Sequence, residues 1–140
     1  MSPDVLPGGF HLVAHVRSAC ASLPGTIETF PFDDRNLVFK TGGDDPDGGP
    51  PVWRMYAMVD VTEDVLRLLV KVEPARSARL RETYPQLTSP GYFGGHWVFV
   101  PLDGRVPETL ARELLVSSYD LVVTRNLPRR IRARLPTRSR

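Results

Sequence analysis

The apolar residues near the N-terminus recur at helical spacing. Between Gly9 and Leu23 they lie mostly three or four residues apart, as on one face of an α-helix. Pro24 and Gly25 then stop the pattern, because proline cannot continue a helix and glycine favours turns. We therefore predict an amphipathic helix over residues 9–23 that packs one face on the core.

Four later segments have the pattern of β-strands, since their residues alternate in polarity or are rich in β-branched and aromatic side chains. These segments are Thr26 to Phe32, Asn36 to Lys40, Val52 to Val59 and Leu66 to Val72. A short polar turn joins the first segment to the second, and another joins the third to the fourth, which favours two antiparallel hairpins. The stretch 41–51 holds glycine, proline and aspartate with no apolar residue, so we expect a mobile loop at a hairpin tip.

The alternation in the third of these segments assigns its side chains to two faces. One set of alternate positions holds Trp53, Met55, Ala57 and Val59, and Tyr56 belongs to the opposite set. Successive side chains of a strand point to opposite faces of a sheet. We therefore expect Met55 and Ala57 to share one face and Tyr56 to lie on the other.

The second half of the chain predicts two further helices with a strand between them. Pro74 suits the first position of a helix that Pro85 ends. His96 to Leu102 is rich in aromatic and β-branched residues between glycine-containing turns, as expected of a strand. A further amphipathic helix runs from Pro107 to Thr124. Together these elements predict an α+β domain with an antiparallel β-sheet backed by helices.

The charges are divided unevenly along the chain. Residues 125–140 hold seven arginines and no acidic residue, whereas residues 1–124 hold 11 basic and 16 acidic residues. The net charge of +2 therefore combines a body of −5 with a C-terminal segment of +7. From the length of 140 residues we predict a single domain over 1–124 and an arginine-rich tail over 125–140. Such asymmetry indicates an anionic partner, with nucleic acid ahead of an anionic membrane.

Few residues are of the types that carry catalytic or metal chemistry. Cys20 lies in the apolar helical pattern, where a single cysteine is usually a buried and unreactive thiol. His11 and His15 are four residues apart, but no Glu, Asp or Cys is spaced with them to complete a metal site. The aspartates of residues 44–47 lack the glutamate that closes a calcium loop. We therefore predict no metal and no cofactor.

A catalytic arrangement is also incomplete in the sequence. His96 with Asp103 or Asp120 provides a base and an orienting carboxylate, but no nucleophile or phosphate-binding loop accompanies them. We predict that the protein is not an enzyme. The chain shows no signal sequence and no apolar run of membrane length, so we expect a cytoplasmic protein.

A series of short motifs resembles the MmcQ/YjbR family of small bacterial proteins, over about residues 9–132. The motifs include Leu23-Pro24-Gly25, Val70-Lys71-Val72-Glu73-Pro74, His96-Trp97, Leu102-Asp103-Gly104-Arg105-Val106-Pro107 and Ser118-Tyr119-Asp120-Leu121-Val122. The resemblance implies a double-wing, CyaY-like α+β fold and a DNA-binding function. Members usually carry a lysine directly before the His-Trp pair, where this chain has Gly94-Gly95. The resemblance therefore supplies no phosphate contact at this turn.

The charge asymmetry and the resemblance both favour DNA binding through phosphates, without base readout. The candidate contacts are Arg125, Arg129, Arg130, Arg132 and Arg134 of the tail, joined by Lys71, Arg76, Arg79 and Arg105. The alternative is a protein-interaction or small-ligand-binding module without a nucleic-acid role. No membrane partner is expected, and the sequence identifies no protein partner.

Aromatic residues near the Pro90-Gly91 turn give a weaker signal. Tyr92, Phe93 and Trp97 are near enough to this turn to stack on bases. Trp97 and Phe99 nevertheless suit the core of the predicted strand, so we assign both to the core.

Overall fold

The computed structural model describes residues 9–91 and 94–136. Its helices are α1 (Val13–Ala21), α2 (Pro74–Thr83), α3 (Glu108–Arg125) and α4 (Arg129–Arg132). Its strands are β1 (Thr26–Thr29), β2 (Asn36–Gly43), β3 (Val52–Asp60), β4 (Arg67–Lys71) and β5 (Trp97–Pro101). A 3₁₀ turn over Gly94–His96 leads into β5. None of the helices in these two ranges is both long and apolar enough to cross a membrane.

The strands form one antiparallel sheet in the order β1-β2-β3-β4-β5. Turns join the first four strands as successive hairpins, and α2 lies between β4 and β5. Beyond β5, Thr88 forms a single bridge to Phe99, so the segment after α2 lies along the outer edge of the sheet. The α+β class predicted from the sequence is confirmed.

The main core lies between the helices and one face of the sheet. Val16 and Cys20 of α1 and Leu114 and Leu115 of α3 pack there against strand side chains, and each is at most 1% exposed. Burying one such leucine contributes about 1.5–3 kcal/mol to folding. The predicted burial of Cys20 is confirmed.

The opposite face of the sheet is covered by strand side chains. A second apolar cluster is centred on Val38, Met58 and Leu69, which form one row across β2, β3 and β4. The partly exposed border of this cluster consists of Met55, Trp97 and Phe99. Among the described residues no helix contributes to it. Trp97 and Phe99, which the sequence assigns to the core, therefore pack on this second cluster and are partly buried.

A β-bulge in β3 corrects the predicted alternation. Phe39 pairs with Ala57 and Lys40 pairs with Met55, so Tyr56 is an extra residue. The bulge turns Tyr56 into the main core with Ala57, whereas Met55 packs in the second cluster. The prediction that Met55 and Ala57 share a face is therefore wrong, because alternation assumes an unbroken ladder.

β2 is longer than predicted and includes Thr41–Gly43, so the loop that follows begins at residue 44. Gly42 pairs with Trp53 and has a φ of 148°, which side chains rarely adopt. A Cβ atom on Gly42 would lie 1.9 Å from the carbonyl oxygen of Val52. Glycine at this position therefore allows β2 and β3 to pair up to the loop.

The C-terminal segment continues the fold in the described residues. Arg125 is the last residue of α3, and α4 follows after a short turn. Leu127 and Ile131 are 3% and 1% exposed, and α4 contacts β2. The arginine-rich segment is therefore anchored to the sheet by two apolar side chains.

Candidate functional site

Most of the basic residues predicted to contact phosphates have a partner within the protein. The pairs are Arg125 with Glu73, Arg76 with Glu113, Arg105 with Asp103, Arg130 with Asp45, Lys71 with Asn126, and Arg132 with the carbonyl oxygen of Thr124. Exposed ion pairs contribute about 0–1 kcal/mol. A phosphate can therefore replace the acidic partner of an exposed arginine at little cost.

Three of the predicted arginines are exposed and make no ion pair within residues 9–91 and 94–136. They are Arg79, Arg129 and Arg134. Arg138 and Arg140, which end the predicted tail, lie outside the described residues, as do Tyr92 and Phe93.

The arginines around α4 lie at the protein surface because the apolar residues of this segment face inward. Pro128 stands at the cap of α4 with a ψ of 147°, so the chain enters the helix from an extended residue. Leu127 and Ile131 are then buried against the body. We call the resulting surface the basic margin, which comprises Arg125, Arg129, Arg130, Arg132 and Arg134.

The basic margin lies at the end of the sheet where β2 and β4 finish. Lys71, the last residue of β4, donates from Nζ to Oδ1 of Asn126 at 2.7 Å. Arg130 donates from Nε to Oδ1 of Asp45, in the β2–β3 loop, at 3.1 Å. Partial burial and the nearby charge of Arg125 both lower the pKa of Lys71. Negative charge bound here would relieve this repulsion.

Partly exposed apolar side chains lie on the second face of the sheet, next to this margin. We call them the aromatic face, which comprises Trp53, Met55, Trp97 and Phe99. Trp53 is two residues before Met55 in a regular part of β3, so it points to the same side. Trp97 pairs directly with Lys71 across β4 and β5. Both tryptophans of the chain therefore lie on this face.

Cations alternate with the apolar side chains of the aromatic face. The neighbouring pairs are Lys40 with Met55, Lys71 with Trp97, and Arg67 with Phe99. The guanidinium of Arg67 lies 4.2 Å from the ring centroid of Phe99, and Glu63 holds it there at 3.0 Å. The alternation rule did not reveal this surface, because the bulge moves Trp53 and Met55 away from the face on which it places them.

The other predicted site residues lie elsewhere. Arg105 lies in the turn after β5, at the far end of that strand, and binds Asp103 at 2.7 Å. Asp103, considered as an orienting carboxylate for His96, is thus engaged by Arg105. Arg76 and Arg79 lie on α2, beside a groove of about 280 Å³ that α3 completes. Arg76, Arg79 and Arg105 therefore lie away from the aromatic face.

A family model described as YjbR matches residues 21–121, which include the whole sheet and most of α3. The chain belongs to the YjbR family. This confirms the resemblance expected from the sequence motifs. The crystal structure of the Deinococcus radiodurans protein DR2400, described as a DUF419 domain, is similar to the chain at 45% sequence identity with a TM-score of 0.79. The similarity covers 91% of this chain and 90% of that one. No curated protein matches the chain.

The YjbR match contains one part of the candidate site and excludes the other. The aromatic face, from Trp53 to Phe99, lies within residues 21–121. The basic margin begins at Arg125, after the match ends. The family match therefore includes the sheet surface and ends before the arginines beside it.

A cleft of about 510 Å³ lies at the opposite end of β4 and β5 in this YjbR protein. Leu66, Leu102 and Val106 give it an apolar lining, and Asp64 and Glu108 add carboxylates. The sequence did not indicate this cleft, because its walls come from the start of α1 and from two distant turns. Carboxylates thus line a cleft at the end of these strands opposite the basic margin.

The histidines and aspartates considered as metal ligands have local structural roles. The Nδ1 atom of His15 accepts hydrogen bonds from the backbone N–H groups of His11 and Leu12, each at 3.2 Å, and so caps α1. Asp45 accepts the backbone N–H of Asp47 at 2.9 Å, as in an Asx turn. In the part of the chain that the structure describes, no group of three or more His, Cys, Asp and Glu side chains could hold a metal ion.

Proposed function

We propose that this YjbR protein binds nucleic acid through its phosphates and catalyses no reaction. The observation that carries the proposal is the junction of the basic margin with the cations of the sheet at Lys71. Lys71 contacts Asn126 next to the margin and pairs with Trp97 on the aromatic face. One anionic ligand can therefore contact both surfaces.

The charges favour a ligand with several phosphates. The basic margin places five arginines on one short segment, and two of them, Arg129 and Arg134, are exposed without an acidic partner among the described residues. Each phosphate neutralised by such a cation releases a counterion, which drives binding at low salt. Burial lowers the pKa of Lys71 and the charge of Arg125 lowers it further, and this neighbouring positive charge favours an anion here.

We propose contact with the phosphate backbone and not readout of a DNA sequence. α4 has 4 residues, which is too short for a recognition helix in a major groove. The arginines of such a short segment can contact phosphates, but the segment does not hold their side chains in a fixed orientation toward base edges. The protein then binds many sequences with similar affinity.

Fluorescence-anisotropy titration of labelled DNA with the full chain, at about 50 and 200 mM salt, tests this function. In the double variant Arg129→Gln/Arg134→Gln we expect weaker binding. The slope of log affinity against log salt should fall in magnitude by about 1.8 for duplex DNA, since each lost phosphate contact removes about 0.9.

The matched control is Arg17→Gln/Arg35→Gln, which changes the net charge equally at exposed sites away from the margin. Its salt slope should equal that of the unchanged protein. Equal losses in both double variants would show that only net charge matters, and a lack of binding at 50 mM would reject the function.

The acidic cleft favours a second candidate function, a module that binds a small ligand or a peptide side chain. Its apolar lining and the exposed carboxylate of Asp64 suit a group with an apolar body and a positive charge, whereas Glu108 pairs with Arg112. Phenethylamine is a suitable probe. We expect it to raise the unfolding temperature of the full chain and to do so less in Asp64→Asn. No change at millimolar probe would remove this candidate.

A further inference from the structure

We infer that the aromatic face binds unpaired, single-stranded nucleic acid, with bases stacked on its rings and phosphates on its cations. This inference rests on the proposed function and narrows it to one class of nucleic acid. It also assigns the binding to side chains, Trp53, Trp97 and Phe99, that phosphate contact alone does not require.

The rings of the aromatic face are partly exposed and rest on a fixed support. Trp53, Trp97 and Phe99 each keep part of their surface in solvent. Val38 and Leu69, at the centre of the second cluster, are both 0% exposed. The cluster packs from the strands alone in the described residues, so no helix covers the rings. Aromatic side chains held on a sheet in this way provide stacking surfaces for bases.

The cations determine which ligand matches this surface. Lys40, Arg67 and Lys71 alternate with the apolar side chains, so the ligand must alternate flat apolar rings with negative charges. A nucleotide chain has this pattern, since each base is followed by a phosphate. An acidic peptide supplies the charges without a series of flat rings. An anionic membrane surface likewise offers charge but no rings to stack.

The spacing of the rings favours an unpaired strand over a duplex. Trp97 and Phe99 are two residues apart on one face of β5, which separates their backbone positions by about 6.8 Å. Successive phosphates of one duplex strand are about 3.4 Å apart along the axis, and the base faces are covered by their neighbours. Two successive bases can reach Trp97 and the guanidinium that lies over Phe99 only when the strand is unstacked and extended.

At Phe99 the stacking surface is supplied by Arg67. Its guanidinium lies over the Phe99 ring at 4.2 Å and is held by Glu63 at 3.0 Å. Guanidinium planes stack on bases as aromatic rings do. Because the ion pair already fixes this side chain, less conformational entropy is lost when a base binds.

The test compares fluorescein-labelled oligothymidylate of about twelve nucleotides, a length within the range that one single-strand binding domain contacts, with a labelled GC-rich hairpin duplex of about twelve base pairs. We expect the full chain to bind the single strand at least about tenfold more tightly than the duplex. Trp97→Leu should weaken single-strand binding by about 5- to 150-fold, as loss of one base–aromatic stack does, and leave the salt slope unchanged. The matched control is Phe32→Leu, which removes a ring that is 63% exposed outside the aromatic face and should have no effect.

A measurement on the unchanged protein guards against misfolding of the variant. Single-stranded DNA should quench the tryptophan fluorescence and protect it from acrylamide, whereas polyglutamate and anionic vesicles should not. Equal binding of duplex and single strand, with Trp97→Leu unaffected, would overturn this inference and leave the proposed function intact. Protection by polyglutamate or by vesicles would also overturn it. Absence of binding to either DNA would reject the inference and the proposed function together.

Discussion

The hydroxyl of Ser118 fills a gap in the sheet. Its Oγ donates a hydrogen bond to the carbonyl oxygen of Tyr56 at 2.6 Å and accepts one from the backbone N–H of Lys71 at 2.8 Å. The bulge at Tyr56 interrupts the pairing of β3 with β4 at this point. A side chain of α3, 0% exposed, thus replaces a hydrogen bond between the strands.

We expect Ser118→Ala to lower the free energy of unfolding by at least about 2 kcal/mol, because it leaves two buried backbone groups without a partner at about 1–3 kcal/mol each. Urea titration monitored by circular dichroism measures the change. Ser117→Ala, at the neighbouring and partly exposed position, should remain within about 0.5 kcal/mol of the original. Equal effects in the two variants would contradict the role given to Ser118.

Cys20 makes stability depend on alkaline pH. Burial raises the pKa of its thiol from 9.0 to about 12. The folded state holds the thiol proton more tightly than the unfolded state does. The contribution of this proton to the free energy of unfolding is therefore complete below pH 9.0 and is lost as the pH rises toward 12. Between about pH 8 and 10.5 we expect the original protein to lose more unfolding free energy than Cys20→Ala. Parallel pH profiles from urea titration would disagree with this account.

Among the secondary elements, the strands were predictable and the bulge was not. Alternation over Leu66 to Val72 placed Leu68 in the main core and Leu69 on the opposite face, as the structure does. The bulge in β3 depends instead on Ser118, which is 62 positions from Tyr56. The alternation of polarity along β3 contains no information about such a distant partner, so the faces of Met55 and Tyr56 were assigned incorrectly.

Ile131 is the buried side chain of α4. Ile131 is 1% exposed, so we expect Ile131→Ala to lower the free energy of unfolding by about 2–5 kcal/mol, as truncation of a buried isoleucine does. The control Arg129→Gln changes an exposed arginine of the same helix that makes no ion pair within the described residues, and it should cost about 0.5 kcal/mol or less. Calorimetry of both variants measures the change in the free energy of unfolding. A decrease below about 0.5 kcal/mol in Ile131→Ala would mean that α4 is not packed on the body.

For the whole molecule, the two candidate binding surfaces lie at opposite ends of the sheet. The basic margin and Lys71 lie at one end, and the cleft with Asp64 and Glu108 lies at the other. The sequence revealed half of this arrangement, because the arginines are concentrated in one segment. It did not reveal that Trp53 and Trp97 share one face of the sheet, since that depends on the pairing of the strands and on the bulge in β3.

The most direct test of the account is a ¹H–¹⁵N NMR titration of the full chain with oligothymidylate, which locates the binding surface residue by residue. We predict that the largest amide shifts occur at Lys40, Lys71, Trp97 and along α4. The amides of Val65 and Leu102, which line the acidic cleft, should not move. Shifts centred on the cleft, or none at low salt, would contradict the claim that this end of the sheet binds nucleic acid.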